Sequence, residues 1–383
     1  MSAWSSPLLC ATALLACAAP LAAQPASLVY RLGRDTAAIE QFTRTPTEIT
    51  GEMVQRAGAA VARFQYRMAL SKAGRPTSAS IRRVQPDGSE LPTGVRETRF
   101  TVTADSVIRE VIFADSTQRR AFAARNGLIN FPHFMYGPLE VLHALRARKT
   151  ATDSIPAVGQ GGGLGFTGFA AAENDGVRLR GGSYPTYLRF DAASRLQSVD
   201  GSGTTSKVLA TRGAGGLDMR AVAMAMAPTG VLSARETARA AFGPGGMVLV
   251  DYGRPAVRER TVWGGTLVPF DSVWRTGAND ATHLFTTRPL TFGTLALAPG
   301  MYTLWVQHTR NGPILHVNSQ TGQWGTQYDA TKDVGTVAMQ LAPTTAHVEV
   351  LQISVKAQGP TRGMLEIAWG PSMASVPFTV GTR

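Results

Sequence analysis

The segment DYGRPAVRERTVWGGTLVPFDSVWRTGANDAT, residues 251 to 282, places four arginines, two tryptophans and five acidic or amide side chains within 32 residues. An arginine side chain presents a planar fork of donors that suits carboxylate and phosphate groups. A tryptophan ring supplies a flat apolar surface. This polar density predicts either a binding site or a network that holds long loops against a sheet.

Short strand-like segments surround this stretch and continue to the C-terminus, separated by glycine, proline and asparagine turns. Eight to ten short strands with turns of this kind are typical of a sandwich or a jelly roll. Just upstream, residues 237 to 242 and the turn Gly243–Gly246 predict a hairpin leading into Met247. We therefore predict a C-terminal β-sandwich, jelly-roll-like domain over residues 233 to 383.

In the N-terminal half, apolar and polar residues alternate with a period of two, as they do in half-buried β-strands. Thr98, Phe100 and Val102 are predicted to face a core while the residues between them face water. One helix is predicted from Pro138 to Ala147, with an acidic residue near its start and basic residues at its end. The predicted fold class is mainly β: a curved antiparallel sheet with one helix over residues 27 to 212, a linker over 213 to 232, then the sandwich.

The first 23 residues resemble a secretory signal peptide, because Leu8 to Ala23 form an apolar run that ends in small residues. Leu14 to Cys17 allow a second interpretation, a lipoprotein signal in which Cys17 is lipidated. The predicted location is periplasmic or extracellular, with an outer-membrane lipoprotein as the alternative. No later apolar run is long enough for a spanning helix, so no transmembrane span is expected.

The formal charge of +12 does not predict nucleic-acid binding, because the cations are scattered along the chain without a recognition helix or interleaved aromatic residues. Scattered arginine of this kind indicates a solvated surface and coding bias, with attraction to anionic lipid or polysaccharide at the cell envelope as the alternative. Both cysteines, Cys10 and Cys17, lie in the leader. The rest of the chain therefore has no disulfide and no thiolate metal site.

Familiar catalytic and cofactor motifs give no assignment. Gly163 to Gly168 match the spacing of a dinucleotide-binding loop but lack the flanking strand and helix, so they are interpreted as a glycine loop. His308 and His316 lie at the two ends of a predicted hairpin, without a third ligand at suitable spacing. We therefore predict no metal site, no cofactor and no assignable catalytic residue.

Several motifs together carry a resemblance to a known family. They are YGRP, R-x-R, GGxLVPF, VWRTGANxAT, LxPGxYTL and NxxxxQWG, all between residues 252 and 325. This pattern resembles the domain of unknown function 2911, over about residues 233 to 380. The resemblance implies an exported bacterial β-sandwich domain and implies no reaction.

The predicted function is a non-enzymatic binding or structural role for an exported envelope protein. The ligand of the predicted site is an anionic small molecule or a sugar-like polysaccharide. Arg258 and Arg260 are expected on one face of an extended segment. The candidate binding residues are Arg254, Arg258, Arg260, Trp274, Arg275, Asn279, Asp280 and Trp324.

Three other interpretations stay open at this point. The arginines could instead pair with Asp251, Glu259, Asp271 and Asp280 in an internal network that fixes loops, which the near-balance of charge in this domain favours over a binding site. The chain could be a hydrolase or lyase acting on an acidic glycan, with Asp271 or Asp280 as the base and an arginine stabilising developing charge. The N-terminal sheet could recognise a partner or a lipid through its concave face.

Overall fold

The computed structural model describes residues 24–147, 154–172, 176–181, 185–204 and 206–382. The predicted leader, with Cys10 and Cys17, lies outside these residues. Strands make up 57% of the structure and helices 5%, and the strands form several sheets, none of them closed. The prediction of a mainly β fold is confirmed.

The first part of the chain forms a 15-stranded sheet. Strands β1 to β8 lie side by side in chain order, and β1 also pairs with β15, from which the order runs back to β9. Neighbours are antiparallel except β9 and β10, which are parallel. The strands are β1 (Ala26–Leu32), β2 (Asp35–Arg44), β3 (Glu48–Ala57), β4 (Ala60–Leu70), β5 (Pro76–Val84), β6 (Glu97–Val102), β7 (Ser106–Ile112), β8 (Thr117–Ala123), β9 (Leu128–Asn130), β10 (Ile155–Gly159), β11 (Leu164–Ala171), β12 (Val177–Arg180), β13 (Tyr187–Phe190), β14 (Leu196–Asp200) and β15 (Leu209–Ala214).

One hydrophobic core belongs to this sheet and to the helix α1 (Leu139–Ala147). The alternation predicted around β6 is present, since Thr98 and Phe100 are buried while Arg99 and Thr101 are exposed. Helix α1 lies where the sequence predicted a helix, and its buried residues include Leu142. Alternate residues of the strands therefore face the core, and these residues determine which side of the sheet the core covers.

The second part of the chain forms a 7-stranded and a 4-stranded sheet. The larger runs in the order β16, β17, β19, β22, β23, β24, with β18 paired to β22, and the smaller runs β21, β20, β26, β25. The strands are β16 (Arg235–Ala241), β17 (Met247–Gly253), β18 (Val273–Trp274), β19 (Thr282–Thr286), β20 (Leu290–Phe292), β21 (Leu295–Leu297), β22 (Gly300–Thr309), β23 (Gly312–Asn318), β24 (Asp333–Ala338), β25 (Gln340–Ala357) and β26 (Arg362–Val380); Ala330–Lys332 form a 3₁₀ turn.

Both of these sheets contribute to one hydrophobic core, which includes Val250, Leu304 and Leu315 from the larger and Ile367 and Phe378 from the smaller. The predicted hairpin before Met247 is confirmed by the antiparallel pairing of β16 with β17. Two sheets over a shared core support the more detailed prediction of a jelly-roll-like sandwich, which we keep as a proposal.

The segment predicted as a linker, residues 213 to 232, contains the short helix α2 (Met219–Ala225). Asp218 caps this helix by accepting hydrogen bonds from the backbone N–H groups of Arg220 and Ala221, at 3.0 Å each. Met219 and Ala223 of the helix pack with Val54 of β3. We retain the division into two domains at this segment as a proposal, because the sheets before and after it do not share strands.

The two parts meet beside the turn between β1 and β2. Arg258 forms an ion pair with Asp35, and Arg34 forms one with Glu259 at 3.3 Å. Gly33 lies so close to Arg258 that an added Cβ would stand 2.1 Å from its carbonyl oxygen, and its φ is +60°. Any larger residue at Gly33 would therefore push the two parts away from each other.

The glycine segment that sequence interpretation assigned to a loop belongs mostly to β11, which pairs with β10 and β12. That interpretation is wrong, because the ladder hydrogen bonds, rather than side-chain packing, hold these glycines in a strand. None of the helices in the described residues is long and apolar enough to cross a membrane.

Candidate functional site

A cavity of about 560 Å³ lies between the two parts of the chain. Its wall combines residues from the N-terminal sheet and its loops with residues from the segment 255 to 279 and from the loop 324 to 328. Cavities that bind small molecules usually measure about 300–1,000 Å³. The size and the two-sided wall make this cavity the candidate functional site.

The turn at residues 257 to 260 brings Arg258 and Arg260 to this cavity. Arg258 and Glu259 have positive φ angles of 53° and 62°, so the segment turns sharply and is not the extended segment expected from the sequence. The turn is tied to β25, because the Arg258 N–H donates to Glu349 Oε1 at 3.0 Å. Both arginines still line the cavity, since the tight turn rather than strand alternation directs them there.

The string VWRTGAN is compact because two glycines let the backbone approach itself. A Cβ on Gly253 would lie 2.3 Å from the carbonyl oxygen of Ala278, and one on Gly277 would lie 2.8 Å from Thr282 Oγ1. Thr282 Oγ1 also donates to the carbonyl oxygen of Thr276 at 2.8 Å. This packing fixes the backbone on both sides of Arg275 and holds its side chain at the cavity wall.

Tryptophan rings form much of the apolar wall. Trp274 stacks on Trp369 with ring centroids 5.5 Å apart and an interplanar angle of 16°. The ring centroids of Trp305 and Tyr328 are 4.9 Å apart, and Trp324 is 42% exposed. All five line the cavity. Trp274, Trp305 and Trp369 are buried, so the exposed ring of Trp324 is the one that offers a flat surface to an aromatic ring or to the apolar face of a sugar.

Trp369 carries a donor without an acceptor. Its side chain is almost completely buried, and its indole Nε1 makes no hydrogen bond to any described residue. A buried N–H group that lacks an acceptor costs about 1–3 kcal/mol. Because this nitrogen has almost no accessible surface, the cost is one of packing within the core of the second part.

The N-terminal part contributes two cations that the sequence analysis did not select, Arg56 and Lys207. Arg56 Nε donates to the carbonyl oxygen of Ala227 at 2.7 Å. Burial lowers the pKa of Lys207, and the positive charges of Arg275 and Arg260 lower it further. No local pattern marks these two residues, because they reach the arginines of the second part only after folding.

Charge in the cavity wall is one-sided. The lining residues include five cations, Arg56, Lys207, Arg258, Arg260 and Arg275, against the single carboxylate of Asp35. That carboxylate forms an ion pair with Arg258. The described wall therefore carries an excess of positive charge and will attract anions.

Two of the predicted site residues lie elsewhere. Arg254 forms an ion pair with Glu236 on β16, and its Nε donates to the carbonyl oxygen of Leu351 at 3.3 Å. Asp280 is exposed and is bridged through its backbone to Trp324. Neither lines the cavity, whereas the other predicted residues, Arg258, Arg260, Trp274, Arg275, Asn279 and Trp324, all do.

The alternative network predicted from the sequence has different pairs in the structure. Asp251 pairs with Arg235 and Glu259 pairs with Arg34. Asp271, the other base considered for a hydrolase or lyase, is exposed and does not line the cavity. The acidic residues named for that enzyme therefore lie away from the cationic wall.

Polar groups of the N-terminal loops complete the wall. Ser206 lines the cavity, and its Oγ lies 3.2 Å from His133 Nε2. His133 Nδ1 lies 2.9 Å from the Tyr136 hydroxyl. Burial lowers the pKa of His133, so its imidazole is neutral at pH 7. This edge can exchange hydrogen bonds with uncharged hydroxyl groups of a ligand.

The two histidines of the β22–β23 hairpin have separate surroundings. His308 stacks on Phe270 with ring centroids 4.7 Å apart, while His316 Nδ1 lies 2.9 Å from Asp333 Oδ2. Among the described residues, no group of three or more histidine, cysteine, aspartate or glutamate side chains is placed to hold a metal ion.

Comparison with known proteins adds a family assignment for the second part. Residues 233–378 match the family described as "Protein of unknown function (DUF2911)". The resemblance predicted from the motifs is confirmed over this region.

Two further comparisons carry no functional information. One similar solved structure, a DUF1089 family protein from Pseudomonas aeruginosa, has 12% sequence identity and a TM-score of 0.31, covering 43% of this chain and 90% of that chain. No curated protein matches the chain.

Proposed function

We propose that the cavity binds an anionic small molecule whose body is an aromatic ring or a sugar. The excess of five cations over one carboxylate in its wall is the observation that carries this proposal. Charge-assisted hydrogen bonds from arginine and lysine to an oxyanion are shorter and about twice as strong as neutral ones. Trp324, which is 42% exposed, would contact the remainder of such a ligand.

The proposed role is binding rather than catalysis. Neither Asp271 nor Asp280, the bases of the hydrolase or lyase considered above, lines the cavity, and this favours binding. We further propose an exported location, periplasmic or extracellular. That proposal rests on residues 8 to 23, whose composition predicts a signal peptide.

Matched pairs of charged and neutral ligands test the binding proposal. We expect glucuronate to bind more tightly than glucose, and benzoate more tightly than benzyl alcohol, because only the charged member meets the cations. Intrinsic tryptophan fluorescence reports binding, since four tryptophans line the cavity. Equal affinity for both members of each pair would contradict the proposal.

Two arginine variants locate the site in this experiment. Arg260→Gln removes a cation from the wall, whereas Arg239→Gln removes an exposed one on β16. Loss of a charge-assisted hydrogen bond costs about 1.5–3 kcal/mol, so the affinity of Arg260→Gln should fall by about tenfold or more. The Arg239→Gln variant should bind as the unchanged protein does.

A further inference from the structure

The cations at one end of the cavity come from both parts of the chain. Lys207 lies between β14 and β15 of the first part, while Arg260 and Arg275 belong to the second. Lys207 Nζ donates to the carbonyl oxygen of Ser202 at 3.2 Å and, across the junction, to that of Thr266 at 2.9 Å. The ammonium group therefore stands where the two parts meet.

These three cations repel one another. Arg275 and Arg260 lie near enough to Lys207 to lower the pKa of its ammonium group, in addition to the effect of burial. The carboxylate of Asp35 lines the same cavity but forms an ion pair with Arg258. An anion at this end would offset the repulsion among these cations and accept hydrogen bonds from both parts of the chain.

Both Lys207 and Arg260 keep donors beyond the bonds that they make to described residues. Lys207 uses two of the three N–H groups of an ammonium. Arg260 donates from Nε to the carbonyl oxygen of Val257 at 2.9 Å and from Nη2 to that of Ala256 at 2.8 Å, two of five donors. These backbone contacts hold the side chains in place while the other N–H groups stay available.

We propose that this end of the cavity binds the dianionic head of a phosphate monoester, held by Lys207 from one part and by Arg260 and Arg275 from the other. The ligand then fastens the N-terminal sheet to the second part. This proposal rests on the proposed function and specifies its ligand class. The exposed ring of Trp324 would contact the sugar or aromatic group that the phosphate carries.

A phosphate monoester suits these cations better than a carboxylate. At neutral pH it carries close to two negative charges and three strongly accepting oxygens. A carboxylate carries one charge and two oxygens. Donors on the two sides of the junction would compete for the two oxygens of a carboxylate, whereas a phosphate offers an oxygen to each side.

Calorimetric titration of the full chain at about pH 8 tests the head group, with inorganic phosphate, sulfate and acetate as probes. We expect the two dianions to bind about tenfold or more tightly than acetate. Glucose 6-phosphate and phenyl phosphate then test what the phosphate is attached to. If glucose 6-phosphate binds more tightly than inorganic phosphate, the ligand carries a sugar; if phenyl phosphate does, it carries an aromatic ring. Acetate that binds as tightly as phosphate would overturn the proposal.

Variants in the two parts of the chain test whether the ligand links them. Lys207→Gln and Arg260→Gln should each weaken phosphate binding about tenfold or more, while Lys72→Gln, an exposed lysine on a remote turn, should leave it unchanged. Added phosphate should slow hydrogen exchange of the amides in residues 202 to 208 and in 258 to 266 together. A thermal melt of each variant confirms that it is folded.

The outcomes separate this inference from the proposed function. If Lys207→Gln keeps its phosphate affinity while Arg260→Gln loses it, the anion is bound by the second part alone. The proposal that the ligand links the two parts is then wrong. If benzoate and glucuronate bind but neither dianion binds better than acetate, the phosphate assignment fails and anion binding stands. Absence of binding to every anion would overturn both.

Discussion

Two clusters of polar groups lie in different surroundings, one inside the N-terminal core and the other on the cavity wall where the two parts of the chain meet. The carboxylate cluster comprises Glu40 and Glu140 with the groups that donate to them, and it lies in the core of the N-terminal sheet. The cation cluster comprises Lys207, Arg260 and Arg275 at the end of the cavity. The first has protein partners on every side, and the second faces a cavity.

Compensation in the carboxylate cluster is extensive. The hydroxyl groups of Tyr30 and Tyr66 each donate to Glu40 at 2.6 Å, and the Tyr136 and Gly137 N–H groups donate at 3.0 and 3.1 Å. Glu140 accepts from Arg212 at 2.7 Å. A buried carboxylate with this many donors from the protein itself does not indicate a ligand, whereas the cation cluster lines an open cavity.

The largest expected effect is loss of the Glu140 carboxylate. Glu140 pairs with Arg212 at 2.7 Å and with Arg44 at 3.4 Å, and it accepts the Leu196 N–H at 2.9 Å. Removing one partner of a buried pair costs about 3–5 kcal/mol, so Glu140→Ala should lower the free energy of unfolding by about 3 kcal/mol or more. Urea unfolding followed by circular dichroism measures this change.

Glu140→Gln is the matched control, because it keeps an acceptor for the arginines and should lose less stability. A loss below about 1 kcal/mol in Glu140→Ala would show that the two arginines find other partners or water. The contrast between the clusters would then disappear.

The second expected effect is a pH dependence of stability from Glu40. Burial raises the pKa of Glu40 from 4.5 to about 7, although hydrogen bonds from Tyr30 and Tyr66 oppose the shift. Since the folded state holds its proton more tightly, the contribution of Glu40 is present below about pH 4.5 and is lost as the pH rises through about 7. At about 1.4 kcal/mol per pKa unit, the change is roughly 3 kcal/mol.

Glu40→Gln removes this titration, so the stability difference between the variant and the unchanged protein should vary with pH between about 4.5 and 7. Denaturant unfolding at several pH values gives that difference directly. Gln118→Asn, a non-titrating change at an exposed position of β8, is the control and should show a constant difference. A constant difference for Glu40→Gln would mean that its carboxylate is ionised throughout.

Local pattern predicted those features that depend on neighbours along the chain. The turn at Gly243–Gly246 specified the β16–β17 hairpin, and the motif around Arg275 identified the DUF2911 family match. Glu40 could also have been found. It alternates with Ala38 and Phe42 along β2, and all three side chains face the core.

Features that depend on distant contacts could not be predicted in this way. Lys207 and Arg56 join the cavity because the two parts pack together, which no spacing in the sequence records. Arg254 was expected in the site because of its position in the motif, but Glu236 on the neighbouring strand pairs with it. The positive φ angles of Arg258 and Glu259 form a sharp turn, and this turn rather than an extended segment directs Arg258 and Arg260 to the cavity wall.

The smallest expected effect on stability is the one that best separates the clusters. Lys207→Gln loses an ammonium that donates to Ser202 and Thr266, but it also removes a half-buried charge beside Arg260 and Arg275. Each hydrogen bond contributes about 1 kcal/mol, and relief of repulsion offsets part of that loss. The free energy of unfolding without ligand should therefore change by less than about 1 kcal/mol, as measured by urea unfolding beside the Lys72→Gln control. A loss of about 3 kcal/mol in the free energy of unfolding, similar to that expected for Glu140→Ala, would mean that this ammonium stabilises the fold rather than serving to bind an anion.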